Sequence, residues 1–188
     1  MTSFEFVFSL FGLLLGLALA EVLGGFGSAI QHRRKVRIGW LTPLLGALVA
    51  LDVTSFWMIA WDVRELVPVH YVSLLCGLFL IGLYYLVAHI TFPDDFDEWP
   101  DLDAYYFEHR KWVLGGIMLC NTIALTILLA LGAEPLQGLP NRLSLLVFIP
   151  ALVAAMFVKD KRANIVLLTL LVVQYPVVPT LNLMGVGK

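Results

Sequence analysis

Residues 4–61 read FEFVFSLFGLLLGLALAEVLGGFGSAIQHRRKVRIGWLTPLLGALVALDVTSFWMIAW, two long apolar runs separated by a short basic segment. Each run exceeds the roughly 20 residues that an α-helix needs to cross a bilayer. A basic turn between two such helices is the signature of a transmembrane hairpin. Further apolar runs follow it, and together they read as Phe4–Ile30, Trp40–Trp61, His70–Phe92, Trp112–Leu131, Leu143–Val158 and Ala163–Val178. The sequence therefore predicts an all-α integral membrane protein, a bundle of six transmembrane helices in a single membrane domain spanning residues 1–188. Residues 93–109 are predicted to form an acidic loop. The last two runs are short, and Pro176 and Pro179 are predicted to break the outer end of the sixth helix.

Composition supports this class. The chain is 60% hydrophobic and only 14% charged, with a mean hydropathy of +0.89, against about 25% charged residues in soluble domains. An ordinary soluble enzyme is excluded on these figures. The first run is too long for a signal-peptide core and lacks a basic flank before it, so it is expected to persist in the mature chain. Cys76 and Cys120 both fall inside apolar runs and read as buried thiols.

Charge distribution sets the predicted orientation. Nine of the 12 Lys and Arg residues follow helices one, three and five: Arg33, Arg34, Lys35, Arg37, Arg110, Lys111, Lys159, Lys161 and Arg162. Arg64, Arg142 and Lys188 are on the other side. The positive-inside rule then places both termini outside and the acidic loop in the cytoplasm. Trp57, Trp61 and Tyr71 fall at the predicted outer interface, and Trp40, Trp99 and Trp112 at the inner one. Basic residues in short juxtamembrane clusters do not make a nucleic-acid surface, so membrane lipids are the expected environment and nucleic acid is not a partner.

Two features inside the predicted spans invite function. Gly12, Gly16, Ala20, Gly24 and Ser28 recur every four residues, a smooth stripe suited to close packing against a helix of this chain or of a second protomer. Glu21 and Asp52 lie at matched distances from the first hairpin turn, about 18 Å in at 1.5 Å per residue. The same count brings Gln174 and Asn121 to that layer, with Tyr84, Tyr85 and Thr126 near it. Carboxylates at such depth must face the bundle interior, share protons or hold a cation, because ionised groups in hydrocarbon cost at least a few kcal/mol. Polar packing between helices is the plainer use of the same side chains.

Glu5, Asp62, Arg64, Glu65 and His70 cluster at the outer mouth, where Asp62, Arg64 and Glu65 read as a solvated ion-pair group. The loop PDDFDEWPDLDAYYFEHRKW, residues 93–112, carries seven of the 14 acids. Asp101 or Asp103 is placed to cap a short helix, and the acids to pair with the basic residues of the same side as a structural cap. A surface for a docking partner is the sharper use of this loop. His32, His89 and His109 gather at the same rim, a weak basis for haem or a surface metal, and no zinc spacing accompanies them. No phosphate loop, hydrolase triad or HExxH is present.

The segments LGLALAEVLGG (15–25), QHRRKVRIGW (31–40), FWMIAW (56–61), LYYLVAHITFPDD (83–95) and DLDAYYFEHRKW (101–112) resemble a group of small, uncharacterised bacterial multi-helix membrane proteins. The resemblance implies residence in a bacterial inner membrane and assigns no functional residue. From the residues themselves, the sequence points to a small polytopic protein with an intramembrane polar site that handles protons or small cations, as a channel or small-solute transporter. No cofactor is called for. A structural or partner-binding subunit, with a dry bundle, is the alternative, and a homo-oligomer fits either. A membrane-embedded enzyme or haem protein ranks below both.

Overall fold

The computed structural model describes residues 3–67 and 70–185, with side chains from Phe8 onward. Lys188 and the Glu5 side chain, counted above, lie outside these. Six helices follow one another: α1 (Ser3–Gln31), α2 (Leu41–Asp62), α3 (Tyr71–Ile90), α4 (Leu102–Ala130), α5 (Leu139–Phe157) and α6 (Lys161–Leu183). All six are long and apolar enough to cross a membrane, and no strand occurs among the described residues. The chain is a multi-pass membrane protein.

Two predicted boundaries are corrected. The helix placed at Trp112–Leu131 begins at Leu102, so the acidic loop shrinks to residues 91–101. Asp101 caps it by accepting from Asp103 N at 2.9 Å, and the helix runs on through the charged residues 108–111, which interrupt an apolar run without breaking a helix. The cap is that of a transmembrane helix, where the sequence suggested a separate short one. The sixth helix is not broken at its prolines but continues through Pro176 and Pro179 to Leu183. A proline inside a membrane helix removes one donor without obliging the helix to end, because local adjustment and neighbouring groups can re-satisfy the freed carbonyl.

The connections α1–α2, α3–α4 and α5–α6 meet at one end, called the basic end below, while Asn182 Nδ2 donates to Asn141 Oδ1 at 2.9 Å near the other. Helix α2 is the hub, touching α1, α3, α4 and α6. It buries Leu41, Leu45, Leu48, Val49, Asp52 and Val53, a helical spacing that turns one broad face inward. Helix α4 does the same with Val113, Leu114, Ile117, Cys120 and Ala124. Helix α1 lies to one side and touches only α2 and α3 among the described residues.

The small-residue stripe of α1 does not pack within the chain as one surface. Leu15, Ala18, Val22 and Ala29 are the buried face, which turns the stripe outward. A Cβ added at Gly16 or Gly24 meets nothing within 4 Å, and Ala20 is exposed. Only Gly12 has a close neighbour, the Trp57 ring at 3.0 Å from that Cβ. The close approach falls one residue off the stripe, at Gly25, where any side chain would collide with Phe92. Cys120 is buried as predicted, but Cys76 is exposed on the bundle surface.

Polar contacts close the basic end. Arg37 N donates to Pro100 O at 2.8 Å and Leu102 N to Arg37 O at 3.0 Å, so the basic and acidic loops pair through their backbones. Asp103 is 4% exposed and caps α2 from outside, accepting from Trp40 N at 3.1 Å and Leu41 N at 2.9 Å. Its other oxygen is paired with Lys161 at the start of α6. Gly39, at φ +65°, lies directly against this carboxylate, leaving no space for a Cβ. Arg110, also 4% exposed, donates to Ala155 O at 3.0 Å, to Val158 O and to Asn164 Oδ1 at 3.2 Å, capping the end of α5. Lys35–Asp97 at 3.3 Å and Arg37–Asp101 at 3.7 Å add exposed ion pairs. At the opposite end Arg64 pairs with Glu65 at 3.5 Å, and His70 caps α3 by accepting from Ser73 N at 3.4 Å.

Candidate functional site

Asp52 sits on the inward face of α2 and is 1% exposed. Its two oxygens accept from Asn121 Nδ2 of α4 at 3.1 and 3.0 Å. Tyr175 Oη of α6 donates to Oδ1 at 2.6 Å. Tyr84 of α3, 1% exposed, directs its hydroxyl at the same carboxyl group, and the buried thiol of Cys120 lies beside it. Three helices thus bring polar groups to a carboxyl group on a fourth, and each neighbour is neutral. Among the described residues no Lys, Arg or His bonds it. Burial of an acid in hydrocarbon is tolerable only with such donors or with a proton of its own.

Of the residues predicted at or near this layer, Asp52, Asn121 and Tyr84 converge, and Glu21, Gln174, Tyr85 and Thr126 do not. Glu21 is on α1, which never reaches α4 or α6, so the depth count left it on the wrong side of the bundle. It instead accepts from His89 Nδ1 at 2.8 Å, with Asp94 at 3.9 Å from His89 Nε2, at a cleft between α1 and the end of α3. Gln174 faces α5, where its Oε1 accepts from Ser144 Oγ at 3.0 Å while its Nε2 is buried without a partner among the described residues. Tyr85 is exposed and stacks on His89 at 6.3 Å between ring centroids. Thr126 returns its hydroxyl to Thr122 O at 2.8 Å.

Tyr175 was missed by the depth count, which stopped at its neighbour Gln174. Adjacent helical residues point about 100° apart, so a count along the axis finds the layer without finding the face. The polar set of the basic end was missed too, although Arg110 and Asp103 share the spacing of buried α4 residues Tyr106, Val113 and Ile117.

The histidines do not gather around a common centre. His32 Nδ1 contacts Ser28 O at 2.8 Å and its ring stacks on Phe96, while His109 stacks on Tyr105 at 4.1 Å. No group of three or more His, Cys, Asp or Glu side chains able to hold a metal ion occurs among the described residues. Two cavities among the described residues bear on these groups. One, of about 110 Å³, is walled by apolar residues of α1 to α4, including Phe11, Phe56, Leu80 and Ala124. The other, of about 210 Å³, contains Glu21, His89 and Asp94. Neither is lined by Asp52. No protein-family model matches this chain, and no curated protein or solved structure does either.

Proposed function

We propose that this multi-pass protein handles protons at an intramembrane site centred on Asp52, as part of a small channel or transporter. The observation that carries the reading is a wholly enclosed carboxyl group met by neutral donors from two other helices, with the Tyr84 hydroxyl of a third beside it and no cation paired to it among the described residues. Its enclosure admits a proton and leaves no room for a hydrated ion. Tyr175 and Tyr84 hydroxyls both donate and accept, so each can pass a proton on or hold it. Asn121 fixes the carboxyl between them.

The test is proton flux in proteoliposomes carrying the native chain, Asp52→Asn or Tyr175→Phe. Flux in the native chain that falls at least tenfold in Asp52→Asn supports the reading. Absent native flux, or equal flux in all three, overturns it.

A structural subunit is the second reading, favoured by the same enclosure: a buried polar group bonded across helices also fixes their register. It predicts a stability loss in Asp52→Asn with no native flux. The nine basic residues at one end support a cytoplasmic basic end with both termini outside. The resemblance of residues 15–112 to small bacterial membrane proteins supports a bacterial inner-membrane address and membership of that group. Self-association or a partner subunit is consistent with the outward-facing side of α1.

A further inference from the structure

The cleft between α1 and the end of α3 has a chemistry that the Asp52 site does not use. It is walled by the polar groups of Glu21, His89, Asp94 and Ser28 over a floor of small residues that includes Gly24. The absence of side chains makes the space, since a Cβ at Gly24 meets nothing within 4 Å. No Lys or Arg lines it, although most of the chain's basic residues lie at the same end. Its polarity is therefore that of an acceptor.

The hydrogen bonds sharpen this. Glu21 spends Oε1 on His89 Nδ1, and that bond holds the carboxylate in one orientation. Glu21 Oε2, Asp94 Oδ2 and Ser28 Oγ make no hydrogen bond among the described residues, so three acceptors remain on one cleft. An ammonium group presents three N–H donors and no acceptor. A quaternary ammonium presents none and is held by aromatic faces, but the rings here are engaged elsewhere, Phe92 on Phe26 at 5.0 Å and Phe96 on His32 at 5.1 Å.

We propose that this cleft binds a primary ammonium group, taken by Glu21, Asp94 and Ser28, with His89 as the positioning residue for Glu21. Two sources share that chemistry, an aminophospholipid headgroup and a free amine. The inference is independent of the reading of Asp52.

The experiment uses the full chain with isotope-labelled histidine in an uncharged detergent and follows the His89 ring signals by NMR. Short-chain phosphatidylethanolamine, short-chain phosphatidylcholine and ethanolamine are titrated separately. The expected result is a saturable shift with phosphatidylethanolamine and none with phosphatidylcholine. A comparable shift with ethanolamine alone identifies a free amine as sufficient, and its absence identifies the headgroup as the source. Glu21→Gln, which keeps shape and removes charge, is expected to weaken the response at least tenfold, and Gly24→Leu to abolish it by filling the cleft. A native chain that responds to neither amine, or equally to the choline lipid, overturns the proposal. So does an unchanged response in a folded Glu21→Gln variant. Should Gly24→Leu fail to fold, Ser28→Ala replaces it, with a several-fold loss expected and an unchanged response counting against the site.

Discussion

Tyr175 Oη lies 2.6 Å from Asp52 Oδ1, joining the last helix to the second across 123 positions of sequence. Its neighbour Gln174 bonds Ser144 instead, so two adjacent polar residues tie α6 to opposite sides, one to α2 and one to α5. This contact sets the first prediction. Tyr175→Phe removes a hydroxyl but keeps the ring, and should cost about 0.5 to 1.5 kcal/mol of stability in detergent. A double-mutant cycle with Asp52→Asn, followed by thermal or denaturant unfolding, should show positive coupling; additive effects would mean that the two side chains do not act on each other.

Gly39→Ala should be more damaging. The substitution pays about 1 kcal/mol for a left-handed backbone, and its Cβ would displace the Asp103 carboxylate, breaking the cap on α2 and the pair with Lys161. A loss of at least 2 kcal/mol is expected. Near-native unfolding of Gly39→Ala would show that this contact is dispensable.

Arg110→Lys keeps the charge and should still destabilise. Its guanidinium reaches acceptors on two elements through Nη1 and lies over the Phe107 ring at 4.8 Å, and lysine is shorter and has no planar face to lay on that ring. A loss of about 2 kcal/mol or more is expected on unfolding, because a buried charge is left short of partners. Equal stability of the Lys variant would assign the site to charge alone.

Gly25 and Gly24 offer a contrast between adjacent glycines. Gly25→Leu should prevent normal packing against Phe92, whereas Gly24→Leu and Gly16→Leu point into open space and should fold. Monodispersity in size-exclusion chromatography and retained helicity would read the difference. The reverse order would put α1 in a different rotation.

Reporter fusions at Asp95 and Gly138 check the orientation. The first belongs to the basic end and should report cytoplasm, the second to the opposite end and should report the outside. Exchanged signals would invert the topology.

The six spans were legible because hydropathy over 20 residues is a strong and local signal. Where a span begins was less so: the charges of Glu108 to Lys111 ended an apolar run, while the helix had begun at Leu102, since the backbone follows caps and breakers and not hydropathy. The site was half legible for a related reason. Depth is fixed by counting residues, which found Asp52 and Asn121, but lateral position depends on which helices touch, and nothing in the spacing of Glu21 says that α1 meets only α2 and α3. Tyr175 required the rotation of α6, which its apolar sequence defines weakly.

The pairing of Lys161 with Asp103, itself the cap of α2, has a consequence for how the protein is made. Its members come from the second, fourth and sixth helices, and Arg110 waits on α5 and on Asn164 in the same way. Helices can enter the bilayer one after another as synthesis proceeds, and the cap of Asp103 on α2 needs only the first four, but the pair with Lys161 waits for the sixth. The basic end is therefore completed only when the start of α6 docks on helices already in the bilayer.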